Sequence, residues 1–400
     1  MIDINLVRDN PKLLEKSLSR RGKDIGALKE IEALDQLWRK STQKLELLQA
    51  KSNQLSKNKD LATKNKTELT SLKKEILEVR DKVNKSQGEL EAKLLNIPNL
   101  VDEDSPAGGE ENNKILESFG DPNKEKTVAH EESLTREGSL ILDVAAKYSG
   151  SRFRYLSNKA AVAQRKMFDM AIDFAVSKGF VFVIPPSVAN EDLMNATGFF
   201  PSGRDDTFTL DKDRFLVGTS EPLLLALGAN KKHKLEDLPV RMVGFSSCFR
   251  KEVGSYGKDV KGMFRVHQFD KVELVSITSP EKSKEEHDFL IELQKEFVKK
   301  FSLPFQTVLM AAGDQSQIAN KQVDLECHFP SQQRYRETHS ASNCTDYQSR
   351  MLKIKVVKDG KTEFAHTLNA TLATERLLLA IVENNTDKDG SINWPRELVK

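Results

Sequence analysis

The stretch CFRKEVGSYGKDVKGMFRVHQFDKVEL, residues 248–274, decides the fold prediction for this chain. Three glycines and several charged residues lie in its middle and predict a mobile loop at 253–263. The segments on either side predict two strands that the loop joins. The stretch therefore indicates a pair of neighbouring strands that carry many charged side chains.

The spacing of these side chains favours a binding site. Residues two or four apart on a strand share a face, so Arg250 lies with Glu252, and Arg265 lies with Phe269 and Glu273. At ~3.3 Å per residue, Phe269 and Glu273 are about 13 Å apart. A nucleotide base could stack on Phe269, with its phosphates near Arg250 and a second substrate near Glu273. An ordinary solvent-facing hairpin would explain the alternating charges but not the aromatic residue among them.

From about residue 131, helical and strand-like segments follow one another without helices interleaved between the strand pairs. This order favours an α+β fold over a doubly wound sheet. The predicted segments are a helix at Val162–Ser177, strands at Phe180–Ile184, Val240–Glu252, Phe264–Ile277 and around Asp324–Ser340, and a last helix at about Leu372–Glu383. The patterns GxGxxG and GxxxxGKS/T do not occur, which argues against a Rossmann or P-loop nucleotide site.

The N-terminal region has a different pattern. Two heptad-like apolar seams, from Ile31 to Leu55 and from Leu69 to Ile97, are separated by a turn-prone segment. They predict an antiparallel coiled coil with a length of roughly 45 Å. Residues 51–74 carry seven lysines and two acidic residues, which suits a polyphosphate partner. A dimerisation device with a solvated charged face is the alternative interpretation.

The composition excludes several classes of protein. A length of 400 residues suggests two domains, and the Pro-, Gly- and Asn-containing segment 102–126 predicts a linker or a solvated surface segment. No apolar run approaches the roughly 20 residues that cross a bilayer, and the N-terminus lacks a secretory pattern. The three cysteines, Cys248, Cys327 and Cys344, have no CxxC spacing, which favours the cytosol and argues against disulfides or a thiolate metal site.

Several segments together resemble one enzyme family. FRKE at 249–252 and RVHQF at 265–269 resemble motif 2 of the class II aminoacyl-tRNA synthetases, and the continuation to Leu274 resembles the seryl-tRNA synthetases in particular. Further segments resemble this family in the expected order: KGF at 178–180 with Pro186 for motif 1, GTSEP at 218–222, YRETHSASN at 335–343, HTLNATLATER at 366–376 for motif 3, and LNIPNL at 95–100 for the arm-to-body junction. The resemblance covers essentially the whole chain.

The resemblance implies a domain organisation and a reaction. A tRNA-binding domain at 1–105 would contain a helical hairpin at about 28–96, followed by a linker at 106–130. Residues 131–400 would form a class II catalytic domain with an antiparallel β-sheet flanked by helices. A cytoplasmic homodimer, paired through the motif 1 region, would use ATP and Mg²⁺ to activate L-serine. It would then transfer serine to the 3′ end of tRNA(Ser), which the arm holds.

The resemblance also implies roles for single residues. Arg250 and Arg376 would be the catalytic residues, at the α- and γ-phosphates, and Glu252 and Phe269 would hold the adenine. The implied ATP site comprises Arg250, Lys251, Glu252, Arg265, Phe269, Glu337, Thr338, His339, Ser340 and Arg376. The implied serine site comprises Thr219, Ser220, Glu221, Arg250, Glu273, Asn369 and Thr371. The residues implied for tRNA binding are Lys57, Lys59, Lys64 and Lys66.

Glu337 and Ser340 would supply oxygen ligands to Mg²⁺. Residues three apart on a plain strand face opposite ways, so this pair requires a bulge or a bend. His267, His339 and His366 are interpreted as hydrogen-bonding scaffold residues, and Cys248 and Cys344 as core residues.

Three alternatives stay open. Thr219 and Ser220 could cap a helix that begins near Glu221. Motif 3 is one residue shorter than is common in the family, which would rotate Arg376 by about 100° unless the preceding turn absorbs the change. That shortening motivates a different function, a catalytically silent paralogue that binds tRNA or acts in regulation.

Overall fold

The computed structural model describes residues 1–57, 66–253 and 263–400. These residues divide into two units, one of Ile2–Pro98 and one of Asn99–Lys400, to which Met1 also belongs. The predicted loop at 253–263 lies largely outside the described residues, as do Lys59 and Lys64. Within the described part of the chain, no helix combines the length and the apolar character that crossing a bilayer requires.

The first unit is helical. Its helices are α1 (Ile4–Asp9), α2 (Pro11–Arg20), α3 (Gly26–Lys57) and α4 (Lys66–Leu95). Ion pairs between α3 and α4 fix their direction, because Lys51 meets Glu68 at 2.8 Å and Lys44 meets Glu75 at 2.7 Å. Later residues of one helix thus meet earlier residues of the other, so the two long helices run antiparallel, as predicted.

The buried side of α4 explains why the hairpin forms. Its buried residues are Leu72, Val79, Val83, Ser86, Leu90 and Leu94. The spacing of three, four and seven residues places them along one stripe, and an exposed polar face covers the rest of the helix.

The second unit is built on an eight-stranded sheet with the order β1-β10-β11-β12-β15-β9-β8-β4. All neighbours are antiparallel except β4 and β8, which confirms the α+β prediction. The strands of this sheet are β1 (Lys114–Phe119), β4 (Val181–Val183), β8 (Val240–Phe249), β9 (Gln268–Thr278), β10 (Phe305–Leu309), β11 (Lys321–Phe329), β12 (Arg334–Asn343) and β15 (His366–Thr374).

Smaller sheets and helices complete the unit. The short strands are β2 (Leu140–Ile141), β3 (Tyr155–Leu156), β5 (Val188–Asn190), β6 (Arg214–Leu216), β7 (Lys232–Lys234), β13 (Lys355–Lys358) and β14 (Lys361–Phe364). The helices are α5 (His130–Arg136), α6 (Asp143–Tyr148), α7 (Asn158–Ser177), α8 (Glu191–Ala196), α9 (Glu221–Ala226), α10 (Ser283–Lys299), α11 (Tyr347–Leu352), α12 (Glu375–Asn384) and α13 (Arg396–Val399). The helices α7, α10 and α12 pack against the large sheet, where fully buried residues such as Phe168, Phe297 and Leu379 form the core.

The structure corrects several predicted boundaries. The region around Asp324–Ser340 is two strands, β11 and β12, joined by a turn, rather than one strand. The last predicted helix begins at Glu375 instead of Leu372, because Leu372 belongs to β15, and the short helix α13 follows it. The segment 106–130 contains β1, which pairs with β10 at the edge of the sheet.

The predicted strands on either side of residues 253–263 are shorter than expected. Glu252 lies beyond the end of β8, and Arg265 lies before the start of β9. The expectation that each shares a strand face with its partners is therefore wrong. The two strands pair only as far as Phe249 opposite Gln268, and without a ladder partner the chain leaves the sheet.

Gly198 tests the packing of the turn after α8 against Ile318 and the start of α11. Its φ is +79°, and an added Cβ would lie 2.5 Å from Ile318 Cγ2 and 2.8 Å from a ring carbon of Tyr347. Gly179 is the matched control, with a φ of +90° and nothing within 4 Å of an added Cβ. We expect Gly179→Ala to lose about 1 kcal/mol from backbone strain and Gly198→Ala to lose about 1–3 kcal/mol more from overpacking, measured by urea unfolding. Equal losses would contradict this account.

Candidate active site

Four charged side chains of the quoted stretch, Arg250, Glu252, Lys271 and Glu273, line a cavity of about 320 Å³. It is walled by β9, β11, β12 and β15, by the first turns of α9 and α12, and by the segment that follows β8. Twelve predicted site residues line it: Thr219, Glu221, Arg250, Glu252, Phe269, Glu273, Glu337, Thr338, Ser340, Asn369, Thr371 and Arg376. Residues separated by as many as 157 positions in the chain thus meet at one surface, because the sheet brings their strands together.

The register of β8 and β9 places the central pair of side chains. Phe269 lies opposite Cys248, and Glu273 lies opposite Gly244. Arg250 follows the end of β8, and its guanidinium carbon lies 5.4 Å from the centroid of the Phe269 ring. The guanidinium group of Arg250 therefore lies over the Phe269 ring, in a geometry that attracts a cation to an aromatic face. A planar ligand could stack beside them.

Glu252 reaches the cavity by an unusual backbone conformation. Its φ is +52°, a region that few residues other than glycine adopt. Asp206 holds the flanking backbone, since its carbonyl oxygen accepts from Lys251 N at 2.8 Å and its carboxylate accepts from Val253 N at 2.9 Å. The carboxylate of Glu252 accepts from Arg265 Nη1 at 3.0 Å. This turn, rather than the strand alternation, aims Glu252 into the cavity.

Four predicted site residues do not line the cavity: Ser220, Lys251, Arg265 and His339. Arg265 pairs with Glu252, and an added Cβ at Gly244 would meet the Ser220 hydroxyl at 2.8 Å. These residues support their neighbours instead of forming the cavity wall.

The histidines near the site have buried partners. His339 Nδ1 lies 2.8 Å from the Thr338 hydroxyl, and Nε2 lies 3.2 Å from the carbonyl oxygen of Leu372. Burial lowers the pKa of His339 to about 4, so its ring is neutral near pH 7. His267 Nδ1 lies 3.0 Å from the carbonyl oxygen of Arg250. These contacts agree with the interpretation of both residues as scaffold.

The capping alternative for Thr219 and Ser220 does not describe α9. Ser220 is the residue before this helix, but its side chain makes no cap hydrogen bond. The hydroxyls of both residues are buried without a hydrogen-bond partner among the described residues. A buried unpaired hydroxyl is costly, and the Thr219 hydroxyl belongs to a residue that lines the cavity. It is therefore available to a polar ligand.

The bulge that the pair Glu337 and Ser340 requires is present in β12. Leu325 pairs with His339 and the next residue, Glu326, pairs with Glu337, so Thr338 is skipped. The skip brings Glu337 and Ser340 into the same cavity. The strand register thus supplies the bend that a spacing of three residues demands.

Asp324 is a buried carboxyl to which no sequence motif pointed. It lies opposite Ser340 across the β11–β12 ladder and accepts from Gln322 Nε2 at 3.0 Å. Burial, together with the nearby charge of Glu337, raises the pKa of Asp324 well above its usual range. The sequence did not predict the position of Asp324, because strand pairing brings residues distant in the chain next to it.

The oxygen atoms of Glu337 and Ser340 suit a hard divalent cation such as Mg²⁺. Within the described ranges, no group of three or more His, Cys, Asp or Glu side chains is arranged to hold a metal ion. Two protein oxygen donors leave the other positions around such an ion to phosphate oxygens and water, which is how Mg²⁺ commonly binds.

A second group of side chains forms an acidic end of the cavity. Glu221 accepts from Gln348 Nε2 at 2.7 Å, and Glu273 accepts from the Thr371 hydroxyl at 3.3 Å. Asn369 also lines this end. Burial raises the pKa of Glu221 to about 7, and the nearby Glu273 adds to the shift. Two carboxyls beside hydroxyl and amide groups match a small ligand with an ammonium group.

Arg376, whose placement the sequence left open, lines the cavity. Its Nη1 donates to Glu337 Oε2 at 2.8 Å. In the β15–β9 ladder Thr371 pairs with Glu273 and Ala373 with Val272, so Leu372 forms a bulge. This bulge lies three residues before α12, on the strand that leads to Arg376.

Lys271 also lines the cavity, although it was not among the residues predicted from the sequence. Only 8% of its surface is exposed, and its Nζ lies 3.3 Å from Glu273 Oε2. Strand alternation could have predicted this position, because residues 269, 271 and 273 point to the same face of one strand.

The chain matches known families over both units. Residues 207–385 match the model of the tRNA synthetase class II core domain (G, H, P, S and T). Together with the antiparallel sheet and its cavity, this match defines a class II aminoacyl-tRNA synthetase. Residues 1–101 match the seryl-tRNA synthetase N-terminal domain.

Curated relatives narrow the assignment. The chain is 39% identical to the serine–tRNA ligase of Acidothermus cellulolyticus over 407 residues, covering 100% of this chain and 97% of that protein. It is 36% identical to the serine–tRNA ligase of Thermobifida fusca, with 100% and 96% covered. The chain belongs to the serine–tRNA ligase family.

Solved structures agree with this assignment. The seryl-tRNA synthetase from Pyrococcus horikoshii complexed with ATP superposes with a TM-score of 0.90 at 32% identity, covering 100% of this chain and 97% of that one. The cytoplasmic serine–tRNA ligase from Naegleria fowleri in complex with AMP gives a TM-score of 0.86 at 32% identity, with 100% and 96% covered.

The raised pKa of Glu221 predicts how stability depends on pH. Between its ordinary value of 4.5 and about 7, the folded protein retains a proton that the unfolded chain has lost. The contribution of Glu221 to stability therefore falls as pH rises through this interval. We expect Glu221→Gln to raise the melting temperature relative to the native chain at about pH 8 and to leave it unchanged at about pH 4.5.

The exposed Glu363 provides a control for this measurement. Glu363→Gln should give the same difference from the native chain at both pH values. A melting temperature for Glu221→Gln that falls below the native value at the higher pH would contradict a raised pKa for the buried Glu221.

Proposed function

We propose that this chain is a serine–tRNA ligase, which forms seryl-adenylate from L-serine and ATP and transfers serine to the 3′ end of tRNA(Ser). One observation carries the proposal. Phe269 and Glu273 of β9 line a single cavity with Arg250, which follows the neighbouring strand β8, so a nucleotide and an amino acid can meet there. The relatives named above have the same activity in their names.

The proposed ATP site uses the aromatic and cationic side of the cavity. The adenine ring stacks on Phe269, with Arg250 beside the same ring, and its amino group donates to Glu252. Arg376 meets the γ-phosphate, since it lies at the second position of α12, where the helix dipole favours an anion. Lys251, Arg265 and His339 do not touch ATP in this proposal. They support the neighbouring residues that do. Thr338 completes the wall.

The proposed serine site uses the acidic side. Glu221 and Glu273 hold the ammonium group, while Thr219, Asn369 and Thr371 enclose the side-chain hydroxyl. Ser220 holds the turn beneath Thr219. An alanine would leave these buried polar groups unpaired, and that loss is a strong basis for discrimination against it.

The first chemical step transfers an adenylyl group. An oxygen of the serine carboxylate bonds to the α-phosphorus, the bond to the bridging oxygen breaks, and pyrophosphate leaves with the electron pair. Arg250 binds the α-phosphate and the carboxylate together and offsets the charge that develops. The carboxylate is already a nucleophile, so no side chain has to remove a proton.

Glu337 and Ser340 would hold Mg²⁺ against the phosphates of ATP. The ion supplies positive charge that favours departure of pyrophosphate. Glu337 also accepts from Arg376, so the same carboxylate orients the cation that meets the γ-phosphate.

The two units divide the work in this proposal. Residues 1–105 bind tRNA(Ser) through the hairpin at about 28–96. Residues 106–130 link this domain to residues 131–400, which carry out catalysis. At 1.5 Å per residue, the 32 residues of α3 span about 48 Å. Recognition by such a coiled coil depends on RNA shape and backbone charge.

A homodimer in the cytoplasm completes the proposal. The strand β4, from the motif 1 region, is the last in the sheet order, and it exposes 64% of Val181. Ile184, next to this strand, is 75% exposed. A second copy of the chain that covers this edge would bury apolar surface and the free edge of the sheet. The three free cysteines suit a reducing compartment.

Serine-dependent exchange of labelled pyrophosphate into ATP tests the proposed reaction. We expect exchange with serine, at least about a hundredfold less with alanine because its methyl group leaves polar partners unpaired, and none with Arg250→Gln. Arg165→Gln is the control, since Arg165 lies on α7 with 75% of its side chain exposed. Absence of exchange in the native chain, with tRNA binding intact, would support the silent-paralogue alternative.

Salt dependence tests the lysines proposed for tRNA binding. Replacing Lys57, Lys59, Lys64 and Lys66 by Gln should weaken tRNA(Ser) binding. The slope of log K against log salt should become shallower by about 0.7–0.9 for every phosphate that the variant no longer neutralises. Replacement of four exposed lysines of the second unit, Lys284, Lys299, Lys361 and Lys388, is the comparison. A slope that stays unchanged in the first variant would show that these lysines do not bind the tRNA.

A further inference from the structure

Lys271 lies midway between the two ends of the cavity. It lies between Phe269 and Glu273 on the same face of β9, and all three side chains line the cavity. At ~3.4 Å per residue, each neighbour is about 7 Å away along the strand. Burial of a lysine is uncommon without a purpose or a partner, and Lys271 is 8% exposed.

The position of Lys271 matches one part of the reacting molecule. The proposed function places the adenine at Phe269 and the serine ammonium at Glu273. The ribose and the α-phosphate join these two groups in seryl-adenylate, so they must lie between them, beside Lys271. We propose that Lys271 is a catalytic residue whose ammonium group contacts the α-phosphate while the adenylate forms. This inference rests on the proposed function and extends it.

The charge balance of the cavity supports this role. Five glutamates line it, Glu221, Glu252, Glu273, Glu337 and Glu375, against the three cations Arg250, Lys271 and Arg376. A polyphosphate entering such a surface is repelled unless the cations meet it directly. Arg376 is directed to Glu337 and Arg250 lies over Phe269. Lys271 is the cavity cation that lies on β9 between the proposed adenine position and the proposed serine position.

The contact that Lys271 makes in the present structure is compatible with release to a substrate. Its Nζ lies 3.3 Å from Glu273 Oε2. The ammonium group of serine carries the same charge and takes over this contact when it binds Glu273. The flexible lysine side chain can then turn along the strand face toward the phosphate. Binding of serine thereby frees the cation that the transfer step uses.

In that step, the bond between the serine carboxylate oxygen and the α-phosphorus forms as the bond to the pyrophosphate oxygen breaks. Negative charge on the α-phosphate oxygens is held by Lys271 together with Arg250. Groups that meet developing charge in a water-poor site typically contribute a factor of about 100–1000 to the rate.

Exchange kinetics of Lys271→Met test the inference. We expect kcat to fall by about 100–1000-fold while KM for serine changes by less than about tenfold, and we expect Lys271→Arg to retain most of the rate because it keeps the charge. Lys295→Met is the matched control, because Lys295 is also 8% exposed and pairs with Glu292 at 2.7 Å outside the cavity. An unchanged kcat with a raised KM for serine would show that Lys271 only positions Glu273 and would overturn the proposal.

Binding of AMP and of adenosine gives a readout that a structural role would not change. These probes differ by the α-phosphate, so Lys271→Met should weaken AMP binding by about tenfold or more and leave adenosine binding within about twofold. Equal losses for both probes would overturn the proposal. If Lys271→Met does not fold, Lys271→Gln is measured by the same two criteria. Failure of the native chain to exchange with serine would instead reject the proposed function, whatever the variants bind.

Discussion

The cavity depends on the hydrogen-bonded register of four antiparallel strands. Glu273 of β9 lies opposite Gly244 of β8 on one side and opposite Thr371 of β15 on the other. Gly244 has no side chain, and an added Cβ would collide with the Ser220 hydroxyl and with Leu224. Because side chains alternate, a slip of one residue would turn Phe269, Lys271 and Glu273 to the opposite face together. Packing of the sheet against its helices therefore preserves the site as a unit.

Two bulges adapt this regular ladder to its chemistry. Thr338 is skipped in β12, and Leu372 is skipped in β15. The first brings Glu337 and Ser340 to one surface, and the second precedes the turn into α12, so it sets where Arg376 points. The carboxylate of Glu337 then accepts from Arg376. Two local departures from strand geometry thus converge on one ion pair beside the proposed phosphate site, as bulges near functional sites often do.

The sequence predicted those parts of the site that depend on local order. Phe269 and Glu273 follow from strand alternation, and the required bulge near Glu337 follows from a spacing of three. Lys271 points to the same strand face, but the spacing of four residues that singles out Phe269 and Glu273 does not include it. Asp324 and Gln348 were out of reach, since their positions come from strand pairing and from α11. The placements of Glu252 and Arg265 failed because the strand ladder ends at Phe249 and Gln268, a limit set by tertiary pairing.

The three cysteines are all free and buried in the second unit. Burial raises the pKa of Cys248 to about 11, that of Cys327 to about 12, and that of Cys344 well above its usual value. Each sulfur is thus held as the neutral thiol, which is a poor nucleophile. Maleimide dyes would leave the native chain largely unlabelled. A single cysteine introduced on an exposed position of α3 or α4 could therefore carry a fluorophore without competing background.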